Sequence, residues 1–451
     1  MSAQTLSFTS LRESMSSIFR KIPDWRQQSK ITISLHDALM SGLACMYFQE
    51  PSLLQFQQHL QDAQNRNNLK TLFGVENIPK ETQMRDIIDD VESKYFQDIF
   101  KSIHSQLQQS GLLEQYQLFP DLYLFPFDGT SYFSSEKVHC EHCLTKKHRA
   151  VFYLELLSET PSCGTSFNAN TYILICQNEL WTLLHVDENK YLSSIEINTI
   201  NGLNEILEGK SLSKLATVKN KKQLKKILKK YNASYVDDSL TYSHQALQGG
   251  IMHPAQSKVI PFMPEEVCNS DGSNKQDCEM NAAKRLVDNV CQNYSHLNFI
   301  FGGDSLFSKQ PIIEHILSKN AHYLFAVKLT DHKYLEEWLT NNPPLKKIKY
   351  TDEKGNTHYY EWFNSVPLNM RADRIRVNFI RYVITSRTSN IIYQNHWVTD
   401  LEITNKNIKT LVVAGRCRWK AENECFNVLK NHGYNLEHNY GHGENNLCFN
   451  F

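Results

Sequence analysis

Two short apolar runs in this chain each lead directly into an aspartate. Residues 122–127 are followed by Asp128, and residues 297–303 are followed by Asp304. Apolar runs of this length, closed by turn-forming residues, are typical of buried strands. We therefore predict two core strands, each of which ends by delivering a carboxylate to the edge of a sheet.

Polar and apolar positions in residues 416–430 follow a helical pattern instead. Arg418 and Glu422 are four residues apart, which places them on one face of a helix. Glu424 lies two residues beyond Glu422 and faces elsewhere, where its spacing predicts an ion pair with Lys420. Glu422 is thus a third candidate acid, accompanied by a cation.

Asp128, Asp304 and Glu422 would repel one another if they met at one point, unless cations lay between them. Carboxylate oxygens are hard ligands that favour Mg²⁺ or Mn²⁺. Two such ions can activate an attacking water or 3′-hydroxyl and stabilise the leaving oxygen. Each acid alone is better explained as a turn or cap residue, because surface Asp and Glu are common. Only the combination predicts a phosphoryl-transfer site.

Several segments of the chain match motifs of one known family. Arg418 and Glu422 form an R-(3)-E motif, and the other matching segments are residues 127–135, 276–286 and 429–443. In these segments the chain resembles the DDE transposases of bacterial insertion sequences, in the branch whose last motif is Y-(2)-R-(3)-E-(6)-K. The resemblance extends over most of residues 128–443, apart from two insertions.

The resemblance implies an α/β fold with an RNase H-like mixed sheet flanked by helices, and an enzyme that cleaves DNA at the ends of an insertion element and joins the freed 3′ ends to target DNA. The ligands that it implies for two Mg²⁺ or Mn²⁺ ions are Asp128, Asp304 and Glu422. The DNA contacts that it implies are Arg418, Lys430 and Lys328, the last of which could instead only close a strand. The expected partners are terminal inverted repeats and target DNA, bound by a homodimer.

Three positions depart from the pattern expected of this family. Gly415 stands at the position of the family's Tyr, and Leu429 at that of its Lys, with Lys430 one step further along. Pro126 is unusual in a central strand because it lacks an N–H group for the sheet. Two alternatives stay open: an RNase H-like nuclease that cleaves without strand transfer, and a catalytically silent DNA-binding protein.

Residues 1–115 are predicted to form a helical domain, and the resemblance implies that this domain binds the DNA ends. After Pro79, apolar residues recur at the spacing of one helix face, namely Met84, Ile87, Ile88, Val91, Tyr95 and Ile99. Basic residues that either meet phosphates or are simply solvated are Lys21, Arg26, Arg85 and Lys94.

Residues 116–451 are predicted to form the catalytic domain, interrupted by two inserts. The first, residues 158–240, has no assigned role and combines strand-like runs at 171–176 and 180–186 with a basic helix at 220–230. The second, residues 336–405, is β-rich and precedes Glu422. Its side chains that either contact DNA or belong to the sheet are Arg371, Arg374, Arg376, Arg381, Tyr359, Tyr360 and Trp362.

Cys140 and Cys143 form a C-x-x-C pair, which suits one half of a tetrahedral structural Zn²⁺ site. The residues that could complete the site are His139, His142, His148, Cys268 and Cys278. A loop with two reduced thiols is the alternative. Three further histidines are interpreted as capping a helix end or contacting DNA: His432, His438 and His442.

Composition narrows the class of protein further. The 451 residues include 48 basic and 48 acidic side chains, so any DNA contact must come from local basic patches. An odd number of cysteines, 11, argues against a disulfide framework and for a reducing compartment. The chain opens without a signal-peptide pattern, and its longest apolar stretch, residues 38–48, is too short for a bilayer. We expect a cytoplasmic, nucleoid-associated protein with no membrane partner.

Overall fold

The computed structural model describes residues 6–148, 151–156, 171–177, 180–187, 190–197, 212–217, 239–267, 269, 279–342, 346–370 and 375–451. The chain divides into two compact units. The first comprises Met1–Phe133, Cys140–Leu144 and His244–Phe451, and the second comprises Ser134–His139 and Thr145–Ser243. The predicted insert at 158–240 lies within the range of the second unit.

The first unit begins with helices, as predicted. Their bounds are α1 Phe8–Phe19, α2 Leu35–Tyr47, α3 Leu53–His59, α4 Ala63–Phe73, α5 Glu81–Asp89 and α6 Gln97–Gln109. Serine side chains cap three of them: Ser7, Ser34 and Ser52 each accept a hydrogen bond from an amide of the first turn. The helices enclose a core that includes the fully buried Ala38, Met40 and Met84.

The apolar pattern that follows Pro79 forms two helices rather than one. Met84, Ile87, Ile88 and Val91 are buried in the same core, so the prediction of one apolar face is confirmed. Helix α5 nevertheless ends at Asp89, and α6 starts at Gln97 after a 3₁₀ turn. The carboxylate of Asp89 accepts backbone N–H groups of Glu444, Asn445 and Leu447, and thereby attaches the C-terminal segment to these helices.

Seventeen strands are found in the part of the chain that the structure describes. They are β1 Gln117–Phe119, β2 Leu122–Ser135, β3 Leu144–His148, β4 Val151–Leu156, β5 Thr171–Gln177, β6 Leu180–Asp187, β7 Lys190–Ile197, β8 Leu212–Thr217, β9 Ser239–Ile251, β10 Ile260–Pro261, β11 Glu265–Val267, β12 Asn298–Gly303, β13 His322–Ala326, β14 Lys346–Thr351, β15 Thr357–Pro367, β16 Arg376–Thr385 and β17 Ile391–Thr399.

Twelve of the described strands form one mixed sheet, whose main path is β10-β9-β2-β12-β13-β17-β16-β15-β14. Strands β2, β12 and β13 run parallel to one another, whereas β13, β17, β16, β15 and β14 alternate in direction. The last four of these strands lie within residues 336–405, where the sequence predicted β-rich structure. In the second unit, β4 to β8 form a separate antiparallel sheet that includes both predicted strand runs, while the predicted basic helix at 220–230 lies outside the described residues.

Helices cover both faces of the large sheet, namely α7 Glu279–Asn293, α8 Gln310–Ser318, α9 Lys333–Asn341 and α10 Ile408–Arg416. They are followed by a π-helix at Ala421–Phe426, by α11 Asn427–Asn431 and by α12 Leu447–Asn450, whose Leu447 packs with the N-terminal helices. Successive strand residues point to opposite faces. Phe125 therefore packs in one core with α7 and α8, and its neighbour Leu124 packs in the other with α10. The class is mixed α/β, as predicted.

Candidate acidic site and Cys/His cluster

Asp128 and Asp304 occupy matching positions on two adjacent parallel strands. The last aligned pair of β2 and β12 is Pro126 with Gly302, and the two aspartates each lie two residues further along. Asp304 follows the end of β12, as predicted. Strand β2 does not end at Asp128, however, but continues to Ser135. It is the parallel pairing with β12, rather than the strand itself, that ends next to Asp128. Pro126 lies within this interior strand despite its missing N–H group.

Arg418 joins the third acid to the first. Its Nη1 donates to Asp128 Oδ2 at 2.5 Å and to Glu422 Oε1 at 2.7 Å. The side chain of Arg418 retains 27% of its exposure and that of Asp128 only 18%, so the ion pair is largely shielded from water. The prediction that Arg418 and Glu422 share a face is confirmed.

Burial and neighbouring charges perturb the acids in this site. Burial is the main cause that raises the pKa of Asp128 to about 6, and the negative charges of Asp304 and Glu422 add to it. Arg418 and the Gly129 N–H group act in the opposite direction. A carboxyl group in this position is protonated over a wider pH range than a surface aspartate unless a cation compensates its charge.

Glu279 is a fourth carboxylate at this site, and it was not among the residues predicted from the sequence. Burial raises its pKa, followed by the charges of Asp128 and Asp304. Its segment matched the family motif, but no role was assigned to the residue. The sequence does contain a pattern that indicates this position, because Ala282, Ala283 and Leu286 follow Glu279 at the spacing of one helix face. These residues pack in the core beside the sheet, and Glu279 lies in the first turn of that helix.

Glu422 lies in a π-helical turn, Ala421–Phe426, where the sequence predicted a regular α-helix. A π turn accommodates one extra residue, so the positions beyond it are rotated relative to a continuous α-helix. Lys430 therefore takes the angular position that residue 429 would otherwise have. A turn of this kind would displace a following lysine by one position relative to the motif that the sequence resembles. Lys430 donates to Glu437 Oε1 at 2.7 Å.

Lys420 and Glu424 do not form the predicted surface pair. Lys420 is buried, and its ammonium donates to the backbone carbonyls of His253, Pro254 and Gln256. A buried ammonium requires such acceptors, and packing of the helix against the sheet decides which ones it meets. Glu424 lines a cavity of about 710 Å³, together with Leu429.

The remaining candidate DNA contacts have varied positions. Lys328 follows β13 and is exposed. Tyr360 and Trp362 are 4% and 1% exposed, so they belong to the sheet core and cannot stack on bases. Arg381 lies 3.4 Å from Glu361, and Arg376 donates to Ser365. Arg371 and Arg374 lie outside the described residues.

Three of the four basic residues named in the helical region have acidic partners: Arg26 with Asp24, Arg85 with Glu81, and Lys94 with Glu92.

Cys140 and Cys143 lie beside two histidines that were not among the predicted ligands, His244 and His442. His442 was interpreted as a helix cap or a DNA contact, but its Nε2 lies 3.2 Å from Cys143 Sγ. His139, a predicted ligand, instead stacks on Tyr242 with ring centroids 4.3 Å apart. Cys268, Cys278 and the side chain of His148 lie outside the described residues, and His142 is not among the four clustered residues.

Comparison of the chain with models of known protein families finds no match, and comparison with curated protein sequences finds none. Among the described residues, no helix has both the length and the apolar character needed to cross a membrane.

Proposed function

We propose that this protein is a DDE-type DNA transposase that cuts DNA at the ends of an insertion element and transfers the freed 3′ ends into target DNA. The observation that carries the proposal is the alignment of Asp128 with Asp304 on parallel neighbours, with Glu422 tied to Asp128 through Arg418. Distant acids that meet in this way fit metal-assisted phosphoryl transfer.

The strand order supports an RNase H-like core within the larger sheet. In this proposal that core is the path from β10 through β9 to β2, and then to the parallel strands β12 and β13. One acid lies on the first long strand of this core and the second after its parallel neighbour. The third lies on a helix that follows the β-rich insertion.

The donor set at the acids fits divalent metal ions of the hard type. All four carboxylates supply oxygen. Burial is the main cause that raises the pKa values of Asp128 and Glu279, and the charges of neighbouring carboxylates add to it, so a divalent cation would stabilise their ionised forms. Asp128, Asp304 and Glu422 would hold two Mg²⁺ or Mn²⁺ ions, with Glu279 beside them. When bound, these ions activate the attacking hydroxyl and stabilise the leaving oxygen.

The chain's own residues would position the DNA. A guanidinium has five N–H donors, so the two contacts made by Nη1 of Arg418 leave capacity for a phosphate oxygen. Lys328 follows the strand next to Asp304's own, and Lys430 follows the π turn that carries Glu422. In this proposal the N-terminal helices bind terminal inverted repeats, and a homodimer acts on nucleoid DNA.

The experiment combines purified protein, Mg²⁺, labelled inverted-repeat DNA taken from the flanking genomic sequence, and a target plasmid. Joined products support transposition. Cleavage without joining indicates the alternative nuclease. Retention of DNA without cleavage indicates a catalytically silent DNA-binding protein, an alternative that the glycine at position 415 leaves open.

Matched variants identify the acids in the same assay. Asp128→Asn and Asp304→Asn should each abolish cleavage and leave binding of the ends largely intact, because phosphate contacts elsewhere supply the affinity. Asp121→Asn is the control: Asp121 lies in the turn before β2 with φ 59°, a conformation that asparagine also adopts. Cleavage by either site variant would remove that residue from the site.

A further inference from the structure

Besides the acidic site, the first unit contains a cluster of two thiols and two imidazoles. It comes from three distant segments: the C-x-x-C turn, strand β9 and the segment after α11. The ligand atoms of Cys140, Cys143, His244 and His442 all lie within 4.8 Å of one another. Nothing in the proposed DNA chemistry requires these residues, so the cluster needs an explanation of its own.

The spacing of the atoms matches a tetrahedral metal site. The two sulfurs are 3.8 Å apart, His244 Nε2 is 3.4 Å from each of them, and His442 Nε2 is 3.2 Å from Cys143 Sγ. Zinc bonds of about 2.3 Å to sulfur and about 2.0 Å to nitrogen, at tetrahedral angles, would separate ligand atoms by roughly 3.3 to 3.8 Å. These four of the six separations therefore lie in or close to the tetrahedral range. The two remaining separations, from His442 to Cys140 and to His244, are at most 4.8 Å, so a modest side-chain movement would complete the site.

Backbone hydrogen bonds shape the turn that carries the two cysteines. The N–H group of Cys143 donates to the carbonyl of Cys140, which closes the turn and brings both sulfurs to one side. The N–H group of Cys140 then donates to Cys143 Sγ at 3.5 Å, a contact that fixes the position of this sulfur. Both thiols are free.

Residues around the ligands hold one imidazole in a ligating orientation. His244 is 3% exposed, and its Nδ1 lies 3.2 Å from Glu266 Oε1. Tyr132 donates its hydroxyl to the same carboxylate oxygen at 3.0 Å. A carboxylate on Nδ1 places the proton there and turns Nε2, with its lone pair, towards the sulfurs. Carboxylate–histidine pairs of this kind are typical of zinc sites.

We propose that Cys140, Cys143, His244 and His442 bind one zinc ion, and that Glu266 orients His244 within the site. Four protein ligands leave no open position for a water or a substrate, so the zinc is structural. It attaches the segment that follows the Glu422 helix to the C-x-x-C turn and to β9. This inference stands apart from the proposed transposition, since it rests on a different set of residues.

The test uses the full-length protein, purified without added zinc. Elemental analysis should find about one zinc per chain, and X-ray absorption at the zinc edge should find two sulfur and two nitrogen neighbours at about 2.3 and 2.0 Å. Zinc-free protein that is fully folded by circular dichroism, or a disulfide between Cys140 and Cys143, would overturn the proposal.

Variants assign the ligands. Cys140→Ser and His442→Gln should each lower the bound zinc at least severalfold. The matched controls are Cys291→Ser, on α7, and His432→Gln, in the same C-terminal segment, and both should retain it. Full zinc content in both ligand variants would overturn the assignment. Because a ligand variant can misfold, cobalt substitution of the unaltered chain gives a second readout: tetrahedral Co²⁺ with thiolate charge transfer is expected, and octahedral Co²⁺ contradicts the site.

Discussion

The carboxylate of Glu279 lies directly over Gly129, the residue after Asp128. A Cβ atom added at Gly129 would be 2.7 Å from Glu279 Oε1, closer than real contacts allow. The glycine therefore lets an acid from the first turn of α7 approach the strand that carries Asp128. After burial, the charges of Asp128 and Asp304 raise the pKa of Glu279, so these three acids form one electrostatic group.

Gly129→Ala should displace Glu279 and weaken Mg²⁺-dependent cleavage by roughly 10- to 100-fold, the range seen when groups around a metal site are disturbed. Stability should change little, because only the end of a flexible side chain must move. Glu279→Gln should reproduce the loss. Gly302→Ala is the control, since a Cβ there would meet its nearest atoms at 3.5 Å, an ordinary contact. Equal activity of Gly129→Ala and Gly302→Ala would show that Glu279 has no part in cleavage.

Glu422 and Glu424 should differ in their importance. Glu422→Gln is expected to eliminate Mg²⁺-dependent cleavage, because Glu422 contacts Arg418 beside Asp128. Glu424→Gln should retain most of the activity, since Glu424 lines the separate cavity. Cleavage and end binding are measured on the same preparations. The reverse result would move the third ligand to Glu424.

A tyrosine at position 415, where the family that the sequence resembles has one, should destabilise this protein. A Cβ atom on Gly415 would lie 2.4 Å from Nε1 of the buried Trp397. Gly415→Tyr is therefore expected to lower the free energy of unfolding by about 3 kcal/mol or more, as overpacking of a core does. Gly42→Ala, in helix α2, is the matched control: its nearest contact would be 3.4 Å, and alanine favours a helix. Urea denaturation measures both, and an unchanged midpoint for Gly415→Tyr would contradict the packing argument.

The contact between His322 and Asp400 should make stability depend on pH. The side chains of His322 and Asp400 form a hydrogen bond of 2.6 Å. This bond is the main cause that raises the pKa of His322 above its ordinary value of 6.5. A raised histidine pKa stabilises the fold fully below pH 6.5, and the contribution disappears as pH rises through the folded-state value. His322 is 39% exposed, so the contribution is about 1 kcal/mol or less.

His322→Gln should therefore be less stable than the unaltered chain at pH 5.5, and the difference should shrink by pH 8.5. Urea midpoints at both pH values measure it. His296→Gln is the control, since His296 lies on the surface and its ring contacts a glutamine rather than an acid. A pH-independent difference for His322→Gln would show that packing, not charge, explains the effect.

Local patterns in the sequence were sufficient for several elements, although not for all of their ends, and for part of each site. The apolar runs before Asp128 and Asp304 predicted two core strands, and the four-residue spacing of Arg418 and Glu422 predicted their shared face. These features depend on steric and hydrogen-bonding preferences of neighbouring residues, which a short stretch of sequence carries. The C-x-x-C pair is likewise local, because its two cysteines are only three positions apart.

Tertiary packing alone decided the contacts between distant residues. Arg418 meets Asp128 across 290 positions, and His442 meets Cys143 across 299. Glu279 joined the acids only because α7 docks on the sheet beside a glycine. Sequence periodicity indicates which face of an element is buried, but not which other face it meets. That choice depends on strand register, on the π turn that shifts Lys430 and on the shape of the whole core.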